Sequence, residues 1–155
     1  MQWGSGRQEG EGPGQVFVGF HDRQLDDKGR CALPSAYRPD LGDKCYVSLG
    51  DEGCITLRTV PEFEAHAQEL IEQERRGEIS HSRRRAISVT SALVSIDKQG
   101  RFTLEERFRR HAGLESGAPV VVAGTFDAVE IWKPDRFWAV EAEGQDEEPG
   151  RQWDD

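Results

Sequence analysis

The sequence of 155 residues predicts an α+β fold, mainly β, built from two copies of one small unit. Three observations carry that expectation. Asp26-Asp27-Lys28-Gly29-Arg30 returns 71 residues later as Asp97-Lys98-Gln99-Gly100-Arg101, and both read Asp-x-x-Gly-Arg. The context repeats too: an apolar residue before (Leu25, Ile96), a leucine three after the arginine (Leu33, Leu104), then an aromatic–Arg pair (Tyr37-Arg38, Phe108-Arg109). Finally, short β-branched and aromatic runs bounded by turn residues follow in the same order in both halves.

The elements follow from local chemistry. Residues 16–25 read as a strand, and Asp26 to Gly29 as the turn, with Gly29 supplying the positive φ. Arg30 to Leu33 begins a second strand. Pro34 suits a short helix through Ala36-Tyr37-Arg38 that stops near Gly42. Lys44–Leu49 and Cys54–Leu57 form a hairpin around Gly50-Asp51-Glu52-Gly53. Thr59 and Glu62 have capping-box spacing, and Phe63, Ala67, Leu70 and Ile71 make one apolar stripe of a helix that Gly77 ends. Residues 80–91, with Arg83-Arg84-Arg85, form a shorter linking helix.

The second copy repeats the order. Ala92–Ile96 is a strand, Asp97 to Gly100 the turn, and Arg101–Leu104 a strand. A helix over 105–112 is capped by Gly113, Val120–Ala123 and Val129–Trp132 form a hairpin, and Pro134–Val140 is a last helix. These are two βαβ-like units, over 16–79 and 92–140. One unit alone has few strands and a small core, and short paired strands are marginal by themselves; interlocking the two would close the sheet and remove edges. Residues 1–15, glycine-rich, and 141–155, with seven acids and one arginine, read as a disordered extension and a disordered acidic tail.

Net charge is −9, mostly from that tail, and mean hydropathy is −0.71. Residues 16–140 carry only −2, and within them segment 83–110 has eight bases against three acids. Thus the global acidity does not exclude nucleic acid. Cys31, Cys45 and Cys54 form no CxxC, and three without a secretory signal favour buried, reduced thiols in a cytosol. No apolar run reaches the roughly 18–20 residues that cross a membrane.

The chemistry points to binding. The aspartate of each turn can accept backbone N–H groups of its own turn, and glycine closes it. Asp26, Gly29, Asp97 and Gly100 are therefore turn-forming. Arg30 and Arg101 then leave the first position of a strand, where a guanidinium can fork onto a guanine edge or clasp phosphate. The competing reading is an internal Asp–Arg pair that only holds the turn. The three arginines 83–85 cannot share one helix face, and some are expected to pair with the acidic helix before them. His21, His66, His81 and His111 have no metal-ligand spacing, and no P-loop or nucleophile elbow is present. No enzyme and no cofactor is expected.

Phe17-Val18-Gly19-Phe20, Leu25-Asp26-Asp27-Lys28-Gly29-Arg30 and Leu33-Pro34 resemble the opening of the MraZ family. Tyr46-Val47-x-Leu49-Gly50, Gly53-Cys54-x-x-Leu57, Ser95-Ile96-Asp97-Lys98-Gln99-Gly100-Arg101 and Val129-Glu130-Ile131-Trp132 continue the likeness over about 16–140. The resemblance implies a duplicated swapped-hairpin barrel of the AbrB-like, double-ψ type. It implies a bacterial transcriptional regulator, cytoplasmic and nucleoid-associated, that binds short direct repeats in double-stranded DNA upstream of a division and cell-wall gene cluster. It also implies a homo-oligomeric ring of eight or twelve chains. Arg30 and Arg101 would read DNA, with Lys28 and Lys98 on phosphate. A protein-interaction or antitoxin-like role, with a protein partner, is the alternative. Val16 stands at the family's initiating methionine, so translation is expected to start there; an endogenous peptide spanning Gly14 to Gly19 would refute that. Glu105 stands where the first copy has Pro34. Its carboxylate is expected to weaken the second copy, so that Arg30 tolerates less loss than Arg101.

Overall fold

A computed structural model describes residues 16–147. The extension 1–15 and the end of the acidic tail lie outside the described residues. Among the described residues eight strands are interspersed with helices. They are β1 (Phe20–Gln24), β2 (Arg30–Ala32), α1 (Arg38–Leu41), β3 (Lys44–Leu49), β4 (Ile55–Arg58), α2 (Val60–Arg75) and α3 (His81–Val89). The second copy supplies β5 (Ala92–Ser95), β6 (Arg101–Thr103), α4 (Glu106–Ala112), β7 (Pro119–Gly124), β8 (Val129–Trp132) and α5 (Pro134–Glu147).

Six strands form one sheet in the order β1-β7-β8-β4-β3-β5, and β2 pairs β6 in a separate ribbon. Exchanging the two copies (β1 for β5, β3 for β7, β4 for β8) reverses that order onto itself, so the sheet has a pseudo-twofold axis between β8 and β4. Each copy's first strand pairs with the other copy's third: Asp22 lies opposite Val121, and Val94 opposite Cys45. The two copies thus share one sheet, one ribbon and one main core.

That core includes Leu25, Leu33, Leu57 and Val47 from the first copy and Phe102, Leu104, Phe108 and Ile131 from the second, all fully or almost fully buried. The ribbon contributes Cys31 and Phe102 to it from directly opposed positions. Burying such side chains stabilises by roughly 1.5–3 kcal/mol each, and neither copy alone brings them together.

Several elements differ from expectation. All strand pairs are antiparallel, so the units are not βαβ in the parallel sense, and β1 and β5 end the sheet without closing a barrel. The first strand begins at Phe20 because Gly19, at φ +78, breaks the chain after an isolated bridge from Phe17 to Phe126. The first short helix starts one turn late, at Arg38, because Pro34 to Tyr37 forms a turn closed by the Tyr37 N–H on the Pro34 carbonyl.

The last helix runs past 140 to Glu147, against the expectation of disorder from 141. Charge there is carried on a helix: Gln145 Nε2 donates to Glu141 Oε2 one turn back at 3.0 Å. The helix is docked by Phe137, whose ring lies 5.8 Å from Trp132. By contrast α2 starts as its sequence dictates, the Thr59 hydroxyl accepting the Glu62 N–H at 3.1 Å. Its stripe of Phe63, Ala67, Leu70 and Ile71 is only half-buried. Phe63 stacks on Tyr46 with ring centroids 4.1 Å apart.

Candidate nucleic-acid interface

The duplicated turns are one hydrogen-bonded device built twice. Asp26 Oδ1 accepts the N–H groups of Lys28 and Arg30 at 2.9 and 2.8 Å. Asp97 Oδ1 accepts those of Gln99 and Arg101, both at 2.9 Å. The glycine N–H closes onto the aspartate carbonyl in each copy, at 3.0 Å for Gly29 and 2.9 Å for Gly100. Gly29 and Gly100 have φ +78 and +79, the left-handed region where other residues are strained.

The arginine closes the device from the other side. Arg30 Nε donates to Asp26 Oδ2 at 2.6 Å, and Arg101 Nε to Asp97 Oδ2 at 3.0 Å. Each turn therefore contains the internal Asp–Arg pair, and the arginine is not independent of it. The pairing uses one of five guanidinium donors, and a third of each arginine side chain remains exposed. Three N–H donors hold Asp26 down to about 2, the Arg30 backbone N–H most, then the Arg30 side chain and the Lys28 N–H. Asp97 is lowered for the same reasons, with the Arg101 backbone N–H first.

Register decides where the arginines face. In the ribbon Arg30 lies opposite Thr103, Cys31 opposite Phe102, and Ala32 opposite Arg101. Alternation turns Cys31 and Phe102 inward, so Arg30, Ala32, Arg101 and Thr103 share the outer face. The two arginines sit on the diagonal of that face, with Cα atoms about 7–8 Å apart. Their turns lie at opposite ends of the ribbon. Lys28 and Lys98 are exposed in the turns at those ends. They are not equivalent positions: Lys28 matches Gln99, and Lys98 matches Asp27.

Antiparallel pairing also crosses the copies. The Leu33 N–H donates to the Gly100 carbonyl at 2.8 Å, and the Leu104 N–H to the Gly29 carbonyl at 2.9 Å. Glu105, which follows Leu104, is thus placed beside the first copy's turn rather than the second's, and its carboxylate takes the Arg107 Nε at 3.4 Å. The basis for ranking Arg30 above Arg101 is removed, because the sequence does not reveal which turn Glu105 approaches.

Two further arginines lie against the turns, Arg38 at Gly100 and Arg109 at Gly29. Arg38 Nε donates to the Leu33 carbonyl at 3.0 Å, and Arg109 Nε to the Leu104 carbonyl at 2.9 Å. Both belong to the repeated aromatic–Arg pairs, which were the available signal. Of the linking-helix arginines, Arg84 reaches Glu74 at 3.1 Å and Arg83 approaches Asp51 at 4.0 Å. Arg84 thus pairs with the preceding helix and Arg83 faces the loop between β3 and β4.

Other chemistry is quiet. Cys31, Cys45 and Cys54 are buried free thiols, each pushed up to about 12 chiefly by desolvation. Among the described residues no group of three or more His, Cys, Asp or Glu could hold a metal ion, and no helix is long and apolar enough to cross a membrane.

Comparison with known proteins places both copies in one family. A family model described as "MraZ protein, putative antitoxin-like" matches residues 16–83 and 90–152, covering both copies. A protein of Salinispora tropica named transcriptional regulator MraZ is 35% identical over 136 residues, 85% of this chain and 92% of that one. One of the same name from Mycoplasmoides gallisepticum is 32% identical over 117 residues, 76% and 81% of the two chains. A third, from Methylococcus capsulatus, is 34% identical over 121 residues, 76% and 78%.

Proposed function

Because the chain belongs to the MraZ family, we propose that it is a transcriptional regulator that binds double-stranded DNA with the outer face of the β2–β6 ribbon. The observation that carries this reading is the shared face of Arg30 and Arg101. The strands that place them are related by the pseudo-twofold axis of one rigid ribbon. Asp26 and Asp97 hold each Nε, fixing the plane of the guanidinium while leaving its Nη groups for an outside acceptor. A preoriented guanidinium suits a guanine edge or a phosphate. Lys28 and Lys98, at the two ends, suit phosphates on either side.

The finer picture belongs to the same proposal. The cross-paired strands support the swapped-hairpin relation to AbrB-like regulators, in open rather than barrel form. The two sheet edges expose unlike apolar groups: Val18, Phe20 and Trp138 beside β1, Val89 and Leu93 beside β5. Unlike edges joined head to tail form a ring where the rotation between neighbours closes, and the assembly proposed is a ring of eight or twelve chains. Such a ring would align several ribbons on direct repeats, and effective concentration turns weak single contacts into useful affinity. The operator would lie upstream of the division and cell-wall gene cluster, with the protein cytoplasmic and at the nucleoid. The same apolar edges favour the second reading, a protein-binding or antitoxin-like module.

A gel shift with the chain's own upstream DNA at physiological salt separates the two. Specific retardation is expected, steeply weakened by salt, and reduced about tenfold or more by Arg30→Ala or Arg101→Ala with the oligomer intact. Wild-type binding by both variants would leave the arginines as turn-holders only, whereas no specific retardation by the wild-type chain would favour the protein-binding reading.

A further inference from the structure

We propose that Arg38 and Arg109 are positioning residues that act in trans: Arg38, from the first copy, holds the second copy's turn, and Arg109, from the second, holds the first. The geometry is specific. Leu33 N–H donates to the Gly100 carbonyl, and Arg38 Nε donates to the Leu33 carbonyl, so one residue, Leu33, links the Arg38 side chain to the opposite turn. A Cβ added to Gly100 would collide with the Arg38 guanidinium itself. The mirror arrangement holds: a Cβ on Gly29 would meet Arg109 Nε at 3.0 Å and the Leu104 carbonyl at 3.2 Å. Both guanidinium groups therefore lie against a bare glycine, half-buried, and Arg109 also reaches the Ser116 hydroxyl at 3.3 Å.

The glycine of each Asp-x-x-Gly-Arg motif then meets two demands. Its positive φ makes the turn, and its missing side chain leaves a seat for the opposite copy's arginine. A planar guanidinium fits between a carbonyl and a glycine face, whereas the ammonium of a lysine is a point charge without that plane. A simple phosphate contact would not need the plane or the seat. Neither turn can shift without its opposite number's helix, α1 or α4, feeling it. The two turns behave as one rigid reader rather than two hinged ones.

The bracing stands on the contacts above; its effect on DNA rests on the proposed function. Hydrogen exchange on the full chain, read by mass spectrometry, tests the brace directly. Arg38→Lys should speed exchange about tenfold in peptides covering 97–101 and less than about twofold over 26–30, and Arg109→Lys should do the reverse. Loosening of the variant's own copy, of both turns equally, or of neither would overturn the proposal. DNA affinity, measured at low salt where weakened variants still bind, tests the consequence. Arg38→Lys should cost about fivefold in an Arg30→Ala background and less than about twofold in an Arg101→Ala background. Equal losses in both backgrounds would overturn the positioning role. If Arg30→Ala and Arg101→Ala themselves leave DNA binding intact, the two arginines do not read DNA, and the exchange result alone decides the brace.

Discussion

The two turns share a backbone, an aspartate, a glycine and an arginine, and differ in the two residues between aspartate and glycine. Both aspartates take the same two N–H groups, and both glycines lie within a degree of the same φ. Yet the exposed middle residues are Asp27-Lys28 in one and Lys98-Gln99 in the other, and the Asp–Arg contact is 2.6 Å against 3.0 Å. Their surroundings are exchanged as well: the first turn faces Glu105 and Arg109, the second faces Pro34 and Arg38. The difference teaches that the two copies keep the residues that build the turn and its Asp–Arg pair, while the exposed pair between aspartate and glycine differs. It also shows that a residue's nearest turn in sequence is not its nearest turn in space.

The glycines offer the largest way to break the symmetry. Gly29→Ala and Gly100→Ala each place a Cβ in the left-handed region, a penalty of about 1–2 kcal/mol. Gly100→Ala should destabilise more, because it also displaces the Arg38 guanidinium, whereas the contact at Gly29 is tight but tolerable at 3.0 Å. Chemical denaturation of the two variants checks the order; equal losses would mean the seats do not differ.

Acid should reveal the turns next. The carboxylates of Asp26 and Asp97 are lowered in the folded chain, so their contribution is complete above the unfolded carboxylate range near pH 4. It is lost as pH falls towards about 2, the folded value of Asp26. Wild type should therefore lose more thermal stability between pH 4 and pH 2 than Asp26→Asn does, and thermal melts across that range check it.

The smallest effect is the most pointed about neighbours in space. Removing the carboxylate with Glu105→Gln should strengthen DNA binding about twofold in an Arg101→Ala background, where Arg30 does the work, and leave an Arg30→Ala background unchanged. Fluorescence anisotropy at low salt reads this. The reverse pattern would place Glu105 beside the second turn.

Much of this was legible in the sequence. Thr59 and Glu62 announce their helix because a cap is a local hydrogen bond, and Lys44–Leu49 and Val129–Trp132 are the strands their runs predict. The repeat located the turns and their arginines. What it left open was which copy's strand pairs with which, since Val94 opposite Cys45 and Leu104 against Gly29 are long-range choices made by the shared core. For that reason Arg38 and Arg109 read as ordinary helix residues, and Glu105 seemed to belong to the turn it follows. The helix to Glu147 was missed because its acids were weighed as charge and not as helix formers.

The central claim is that the outer face of the ribbon reads DNA through the planar, preoriented guanidiniums of Arg30 and Arg101. The direct test is the affinity of the Arg30→Lys/Arg101→Lys double variant for operator and for scrambled DNA across a salt series. Charge is kept and the fork is lost. The account predicts that the preference for operator falls about a hundredfold while scrambled-DNA affinity and its salt slope stay near wild type. A double variant that discriminates as well as wild type would contradict it.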